Sequence, residues 1–362
     1  MKILLIGEYS NVHATLAKGL RTLGHEVCVI SNGDFWKNYP RDIDVTRQPG
    51  RFGGLRLTAK VYSLLPRMRG YDVVQLINPM FFELRAERLF WIYRYLRRHN
   101  RRVFLGAFGM DWYWVHECIT RKPLRYSDFN IGDELRTDPD AIIPQRDWLG
   151  TAKERLNRMI ATDCDGIITG LYEYDVCYRP HFPEKTKFIP YPIMPTDPTI
   201  PTSSVSLVNI FIGISRSRSA YKGTDVMLRA AQDLAARYPD RVTLNVAEGL
   251  PFDEYKSMLD SSDVLLDQLY SYTPAMNALL AMSKGIVVVG GGEPENYDIL
   301  GETELRPIVN VQPSYDSVYH ELEQLVLHPN RLLQLKQQSI DYIRRHHDYI
   351  KVARAYETFY SA

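Results

Sequence analysis

The chain opens on a short, unbroken apolar run, Ile3-Leu4-Leu5-Ile6, closed by Gly7. This is the pattern of a strand buried on both faces and followed by a tight turn. Over residues 13–23 the apolar positions shift to helical spacing, with Leu16, Leu20 and Leu23 on one face and Gly24 as the stop. Residues 26–30 are strand-like again. The three segments make a βαβ unit, whose right-handed crossover imposes a parallel sheet. Further strands are predicted at 73–76, 103–105 and 166–169, with a helix over 81–99 carrying Phe82, Leu89, Phe90, Tyr93 and Leu96. Residues 111–160 mix aromatics with Pro123, Pro139 and Pro144, and predict an insertion before a helix over 148–160.

Pro190, Pro192, Pro195, Pro198 and Pro201 then crowd one segment, which stiffens an extended chain and prevents regular structure. The α/β alternation restarts beyond it: strand 207–214, helix 224–236, strand 242–246, helix 252–259, strand 264–266, helix 275–282, strand 286–289. Residues 329–360 are mostly helical in pattern. The predicted fold class is therefore α/β, with two Rossmann-like domains facing across a central cleft: residues 1–190 and residues 202–341. A C-terminal helix over about 342–362 either packs back on the first domain or ends the second, and local sequence accommodates both.

Composition narrows the function classes. Lys+Arg 44 against Asp+Glu 43 leaves no global field to attract nucleic acid. The scattered Cys28, Cys118, Cys164 and Cys177 have no C-x-x-C or zinc-like spacing and read as reduced thiols. No apolar run reaches spanning length, and MKILLIGEYS lacks a signal-peptide apolar region and cleavage site, so a cytoplasmic location is expected. With 24 Tyr and 13 Phe the chain is rich in rings suited to carbohydrate stacking, although the count alone establishes nothing.

Candidate chemistry gathers after the predicted strands, where open parallel sheets bind ligands. Ser215-Arg216-Ser217-Arg218-Ser219-Ala220-Tyr221-Lys222-Gly223 leaves one strand and opens a helix. Arg216, Arg218 and Lys222 can neutralise a diphosphate there, assisted by backbone N–H groups of the helix. A solvated basic loop is the plainer alternative. Gly290-Gly291-Gly292-Glu293-Pro294-Glu295 follows another strand. Gly292 and its neighbours permit close backbone approach, and Glu293 or Glu295 is placed to accept hydrogen bonds from sugar or ribose hydroxyls, unless the segment is only an exposed connection. Tyr270 and Tyr272 leave a third strand and are candidates for stacking or for loop packing.

In the first domain Gly7 and Asp111 lie beyond two strands. Asp111 serves either an acceptor hydroxyl or the start of the next helix as its N-cap. His116-Glu117 does not continue as H-E-x-x-H, since position 120 is Thr, and no metal site is expected. Neither G-x-G-x-x-G nor a P-loop occurs. The basic, aromatic helix with Arg85, Arg88, Arg94, Arg97 and Arg98 reads as a crossover helix with snorkelling arginines, or as a contact for an anionic membrane.

Taken together, these segments resemble the GT-B glycosyltransferases, specifically the large retaining family called family 4. The resemblance covers the whole chain. It is carried by MKILLIG with Leu23-Gly24-His25-Glu26-Val27, by Phe108-Gly109-Met110-Asp111, by Ile189-Pro190-Tyr191-Pro192, and by Tyr221-Lys222-Gly223-Thr224-Asp225. It continues in Gly249-Leu250-Pro251-Phe252-Asp253-Glu254-Tyr255, Ser262-Asp263-Val264, Ala281-Met282-Ser283-Lys284-Gly285 and Gly291-Gly292-Glu293-Pro294-Glu295. It implies transfer, with retained anomeric configuration and no required metal or tightly bound cofactor, from a UDP- or GDP-sugar. The implied acceptor is a glycan, polysaccharide precursor or lipid-linked hydroxyl, often at the inner membrane face. Arg216 or Arg218, with Lys222, resembles the family's donor-diphosphate pair, and Asp111 resembles a residue near the reacting sugar.

One departure stands out. The family's two glutamates, separated by seven residues, correspond here to Tyr272 and Leu280. Donor contacts are then rearranged, or supplied by Glu293 and Glu295. Otherwise the chain is a catalytically weak or inactive sugar-nucleotide-binding relative, or a sugar-nucleotide epimerase.

Overall fold

The computed structural model describes residues 1–200, 207–214 and 222–362. The chain begins β1 (Lys2–Ile6), α1 (Val12–Thr22), β2 (Glu26–Ser31), β3 (Ile43–Asp44), α2 (Gly53–Leu64), β4 (Val73–Leu76), α3 (Ala86–His99) and β5 (Arg102–Ala107). Next come α4 (Trp112–Thr120), a hairpin of β6 (Asn130–Ile131) and β7 (Glu134–Leu135), α5 (Pro139–Trp148), α6 (Ala152–Asp163), β8 (Gly166–Thr169), α7 (Tyr172–Tyr178) and β9 (Thr186–Phe188). The remainder runs β10 (Val208–Ile214), α8 (Thr224–Arg237), β11 (Val242–Glu248), α9 (Phe252–Asp260), β12 (Val264–Leu266), α10 (Met276–Ser283) and β13 (Val287–Gly290). It ends with α11 (Pro294–Leu300), β14 (Val309–Asn310), α12 (Tyr315–Leu327), α13 (Pro329–Tyr342) and α14 (Tyr349–Ser361).

Two compact units result. Met1–Pro123, Ile143–Pro192 and Tyr349–Ala362 form the first; Leu124–Ile142 and Ile193–Asp348 form the second. The first holds a seven-stranded sheet in the order β3-β2-β1-β4-β5-β8-β9, all of its pairings parallel. Ile3, Leu4, Leu5 and Ile6 are fully buried in it, as their unbroken apolar run requires. α14 lies on α1, where Gly19 leaves no room for a side chain against Tyr349 and Ala353. Farther along α14, His25 bonds Glu357 at 2.8 Å, Arg102 donates to the Tyr360 carbonyl, and the Tyr360 ring packs on Phe104.

The second unit holds a five-stranded parallel sheet in the order β11-β10-β12-β13-β14. Ile210, Ile212, Val264, Leu266, Val287 and Val289 meet Met227, Leu234, Val318 and Leu322 from α8 and α12 in one apolar cluster.

Three helices differ from their sequence patterns. α3 begins at Ala86, because Phe81 and Phe82 are buried in the connection after β4 and Arg85 is extended. The helix expected over 148–160 is α6, which begins only at Ala152, and a separate helix, α5, ends at Trp148 just before it. They break at Gly150 (φ 70), and Thr151 caps the second by accepting from Lys153 N–H. A π-helical turn, Ile343–His347, interrupts the C-terminal helix. Among the described residues, no helix is long and apolar enough to cross a membrane.

Candidate functional site

In the second unit the chain places β11 on one side of β10 and β12 on the other. Where strand order reverses in this way, the loops leaving the two strands diverge and open a crevice. The loop after β10 contains Ser215, Arg216 and Arg218, which lie outside the described residues. Its last residues are described. The Lys222 carbonyl accepts from Leu269 N–H at 2.8 Å, which ties this loop to the one leaving β12. Gly223 follows with φ 68, and a Cβ there would stand 2.6 Å from Leu269 Cβ and 2.9 Å from the Tyr270 ring. Only glycine fits both the left-handed turn and the close approach. The consequence is that Lys222 sits at the start of α8, where the helix dipole favours anions. Asp267, buried at the end of β12, feels opposing influences: burial raises its pKa and the Lys222 charge lowers it.

Next to Lys222, the β6–β7 excursion closes over the strand ends of its own unit. The Arg136 guanidinium lies 4.4 Å from the centre of the Tyr270 ring. Arg125 covers Tyr272 at 4.9 Å, and its backbone N–H donates to the Tyr272 hydroxyl at 2.6 Å. The same guanidinium reaches Glu293 at 2.7 Å and also pairs with Glu295. Glu293, 3% exposed, takes further hydrogen bonds from the Tyr126 hydroxyl and from Gln312 at 2.9 Å. Burial alone would raise the Glu293 pKa. The bonds from Tyr126, Asn310 and Gln312, with the Arg125 charge, outweigh it and hold the carboxyl below its usual range. Both candidate acids are thus engaged within the protein.

The glycine run is explained by packing as well. Gly291 lies against the Ser271 backbone and Gly292 against Ile308, with Gly292 N–H donating to Asn310 at 3.1 Å. None of Gly290, Gly291 and Gly292 has positive φ. Their smallness lets the loops after β12 and β13 touch, which positions Tyr272 beside Glu293 through a 3.1 Å backbone bond.

In the first unit the reversal falls between β1 and β4. Gly7 (φ 88) packs on Ile77 with no room for a side chain. Asn78 donates to the Met110 carbonyl at 3.2 Å, and Gly109 lies against the Tyr9 ring. Asp111 is fully buried. One of its oxygens caps α4 by accepting from Trp114 N–H at 2.9 Å, and the other accepts from the Tyr178 hydroxyl at 2.6 Å. Burial raises its pKa to about 7 against those two bonds. His116 stacks on Trp112 and bonds Glu117, which also binds His181 and Arg121. Among the described residues no group of three or more His, Cys, Asp and Glu is arranged to hold a metal ion.

Arg125, Tyr126, Arg136 and Gln312 carry this geometry, yet nothing in their local sequence marks them. Arg125 meets partners 147 to 170 residues away, and only the folded chain brings them together.

No family model matches the chain, and no curated protein matches it in sequence. Solved structures do. Sucrose-phosphate synthase from Thermosynechococcus elongatus is similar over 100% of this chain and 98% of its own, with TM-score 0.62 and 14% identity. HepE from Anabaena, crystallised with UDP and glucose, is similar over 100% of both chains, with TM-score 0.61 and 14% identity. UDP-GlcNAc 2-epimerase from Neisseria meningitidis, bound to UDP-GlcNAc, covers 100% of both chains with TM-score 0.53 and 11% identity. The chain has the α/β fold of the GT-B class. At these identities the likeness speaks to fold, and function rests on the site.

Proposed function

We propose that this protein is a glycosyltransferase that takes its sugar from a nucleotide-sugar donor held at the strand ends of the second unit. The observation that carries the reading is the tie between Lys222 and Leu269. It sets a lysine at the mouth of the reversal point and at the N-terminus of a 14-residue helix. A diphosphate placed there meets the ammonium and the positive end of the helix dipole together. As the sugar–phosphate bond breaks, negative charge develops on the departing diphosphate. Fixed cations stabilise that charge more than they stabilise the bound donor. Arg216 and Arg218 belong to the same proposal. UDP in the HepE structures supports a uridine nucleotide as donor.

Retention of configuration, independence of metal and a hexose donor are the finer parts of the proposal, and rest on the family resemblance. So do the glycan, polysaccharide-precursor or lipid-linked acceptor and a cytoplasmic place of action. Residues 1–190 and 202–341 are proposed as the acceptor-side and donor domains, except that Leu124–Ile142 belong to the compact unit of the donor side. On the acceptor side, Asp111 has both oxygens engaged, so it enters as the group that fixes the start of α4 after β5.

A second reading is a nucleotide-sugar-binding protein with little transferase turnover, or an epimerase. The engagement of Tyr272, Glu293 and Glu295 by Arg125 favours it, because those groups are then less available to a sugar. The test is a screen of the purified chain against UDP-, GDP-, ADP- and CMP-sugars, with affinity and slow donor hydrolysis measured together. Binding with hydrolysis supports the transferase. Binding without hydrolysis or transfer supports the second reading, and no binding to any donor removes both.

A further inference from the structure

The chain as a whole is almost neutral, but its charges are unevenly placed. Between Arg47 and Arg102 stand thirteen Lys and Arg against three acids, Asp72, Glu83 and Glu87. Two helices of the first unit present much of this excess. α2 buries Leu57, Val61 and Leu64, yet its opposite side is also apolar: Phe52 at the N-cap is 59% exposed and Leu55 63%. Ala59 and Tyr62 continue the same stripe at helical spacing and are exposed too. α3 buries Leu89, Ile92 and Leu96 and turns Trp91 outward, 48% exposed.

The two outer faces are one surface. Tyr62 stacks flat on Trp91, with ring centres 5.3 Å apart and planes within 4°. Arg88 donates to Thr58 across the same seam. Exposed arginines border the stripe: Arg51 and Arg56 along α2, Arg94 and Arg98 along α3. Some local cations are already spent, since Lys60 pairs with Asp44 and Arg97 with Asp165.

We propose that this α2–α3 face docks on an anionic lipid bilayer. Exposed aromatic and aliphatic side chains rimmed by arginine fit the boundary between headgroups and acyl chains. The apolar stripe enters, the indole and phenol rings sit at headgroup depth, and the guanidiniums meet lipid phosphates. A nucleic acid would use the arginines, but it offers nothing for Leu55 and Phe52 to enter. The patch lies in the first unit and does not depend on a nucleotide sugar, so vesicle binding and donor binding succeed or fail separately.

The test is cosedimentation of the full chain with phosphatidylcholine vesicles, with and without phosphatidylglycerol, with no donor present. Selective binding to the anionic vesicles, weakened by salt, is expected. Each basic residue at such a surface is worth about fivefold in affinity. Arg56→Glu with Arg94→Glu should therefore lose well over tenfold, and Leu55→Ser with Trp91→Ser should weaken binding at low salt as well. Both double variants should stay folded and keep the parent donor affinity, the apolar one with a lower melting temperature because the Tyr62–Trp91 stack is lost. Equal binding to neutral and anionic vesicles, or to neither, overturns the proposal. It is also overturned if the charge variant alone loses binding while the apolar variant keeps it and a single-stranded RNA competes, because the face is then a polyanion site.

Discussion

Arg125 Nη2 lies 2.7 Å from the Glu293 carboxylate, 168 residues further along the chain. The pair fastens the β6–β7 excursion to the strand ends of the second unit. The fastening is unequal in exposure, with Glu293 buried and the Arg125 side chain half exposed. Removing the arginine therefore leaves a buried carboxylate short of a partner, while its Coulomb share is reduced by solvent. Arg125→Ala should lower stability by about 1–2 kcal/mol in urea unfolding and expose residues 124–142 to limited proteolysis. Arg125→Lys should restore part of the loss only, since an ammonium cannot hold Glu293 and Glu295 with one planar fork. A variant as stable and as protease-resistant as the parent would show that Arg125 does not hold the β6–β7 excursion in place.

Lys222 stands at the start of α8 by virtue of the Gly223 turn. A charge-assisted hydrogen bond to a bound diphosphate is worth about 1.5–3 kcal/mol. Lys222→Ala should thus weaken UDP binding about 10- to 100-fold with an unchanged melting temperature, read by isothermal titration. Unaltered affinity would show that the ammonium does not touch the nucleotide.

Asp111 caps α4 with one oxygen and accepts from Tyr178 with the other. Loss of an N-cap costs about 1 kcal/mol, and the stranded Tyr178 hydroxyl adds to it. Asp111→Ala should be destabilised accordingly, and Asp111→Asn should be milder because its amide oxygen still caps. Donor hydrolysis per folded molecule should stay within a few-fold of the parent in both. A collapse of turnover in a well-folded Asp111→Asn variant would instead mean that the carboxyl reaches the reacting groups.

Glu302 accepts from the backbone of Glu304 and Leu305 and from His346 and Arg345. Burial alone would raise its pKa. The His346 bond, the backbone bonds and the Arg345 charge together pull it down to about 2, from an ordinary 4.5. In the window between those values the unfolded chain binds the proton and the folded chain does not, so stability rises with pH there. The contribution is whole above about pH 5 and is lost as pH falls toward 2. Thermal melts across that range should show the parent more stable than Glu302→Gln near neutrality, with the gap closing on acidification. A gap that does not change with pH would contradict the ion-paired carboxylate.

The parallel sheets were legible in the residues themselves. The run Ile3-Leu4-Leu5-Ile6 cannot face water on either side, and 73–76, 166–169 and 264–266 are strands at the limits their patterns set. β3, β9 and β14 escaped, because they are as short as Val264-Leu265-Leu266 but mix polar with apolar residues and so form no apolar run. The break at Gly150 lay inside an otherwise helical pattern, where one glycine is tolerated as often as it ends a helix.

The sequence by itself determined what kinds of side chain leave the strand ends: Lys222, Tyr270, Tyr272, Glu293 and Asp111 all stand where periodicity ends and a loop begins. Only the tertiary structure decided what those side chains do there. Glu293 is open to a ligand in the sequence but is bonded to Arg125 and Tyr126 in the fold. Of the two sequence readings of Asp111, acceptor-side acid or N-cap, the bonds from Trp114 and Tyr178 give the N-cap. Strand and helix are set by neighbours a few residues apart, which a pattern records. The state of a carboxylate is set by partners 67 or 168 residues away, which it does not.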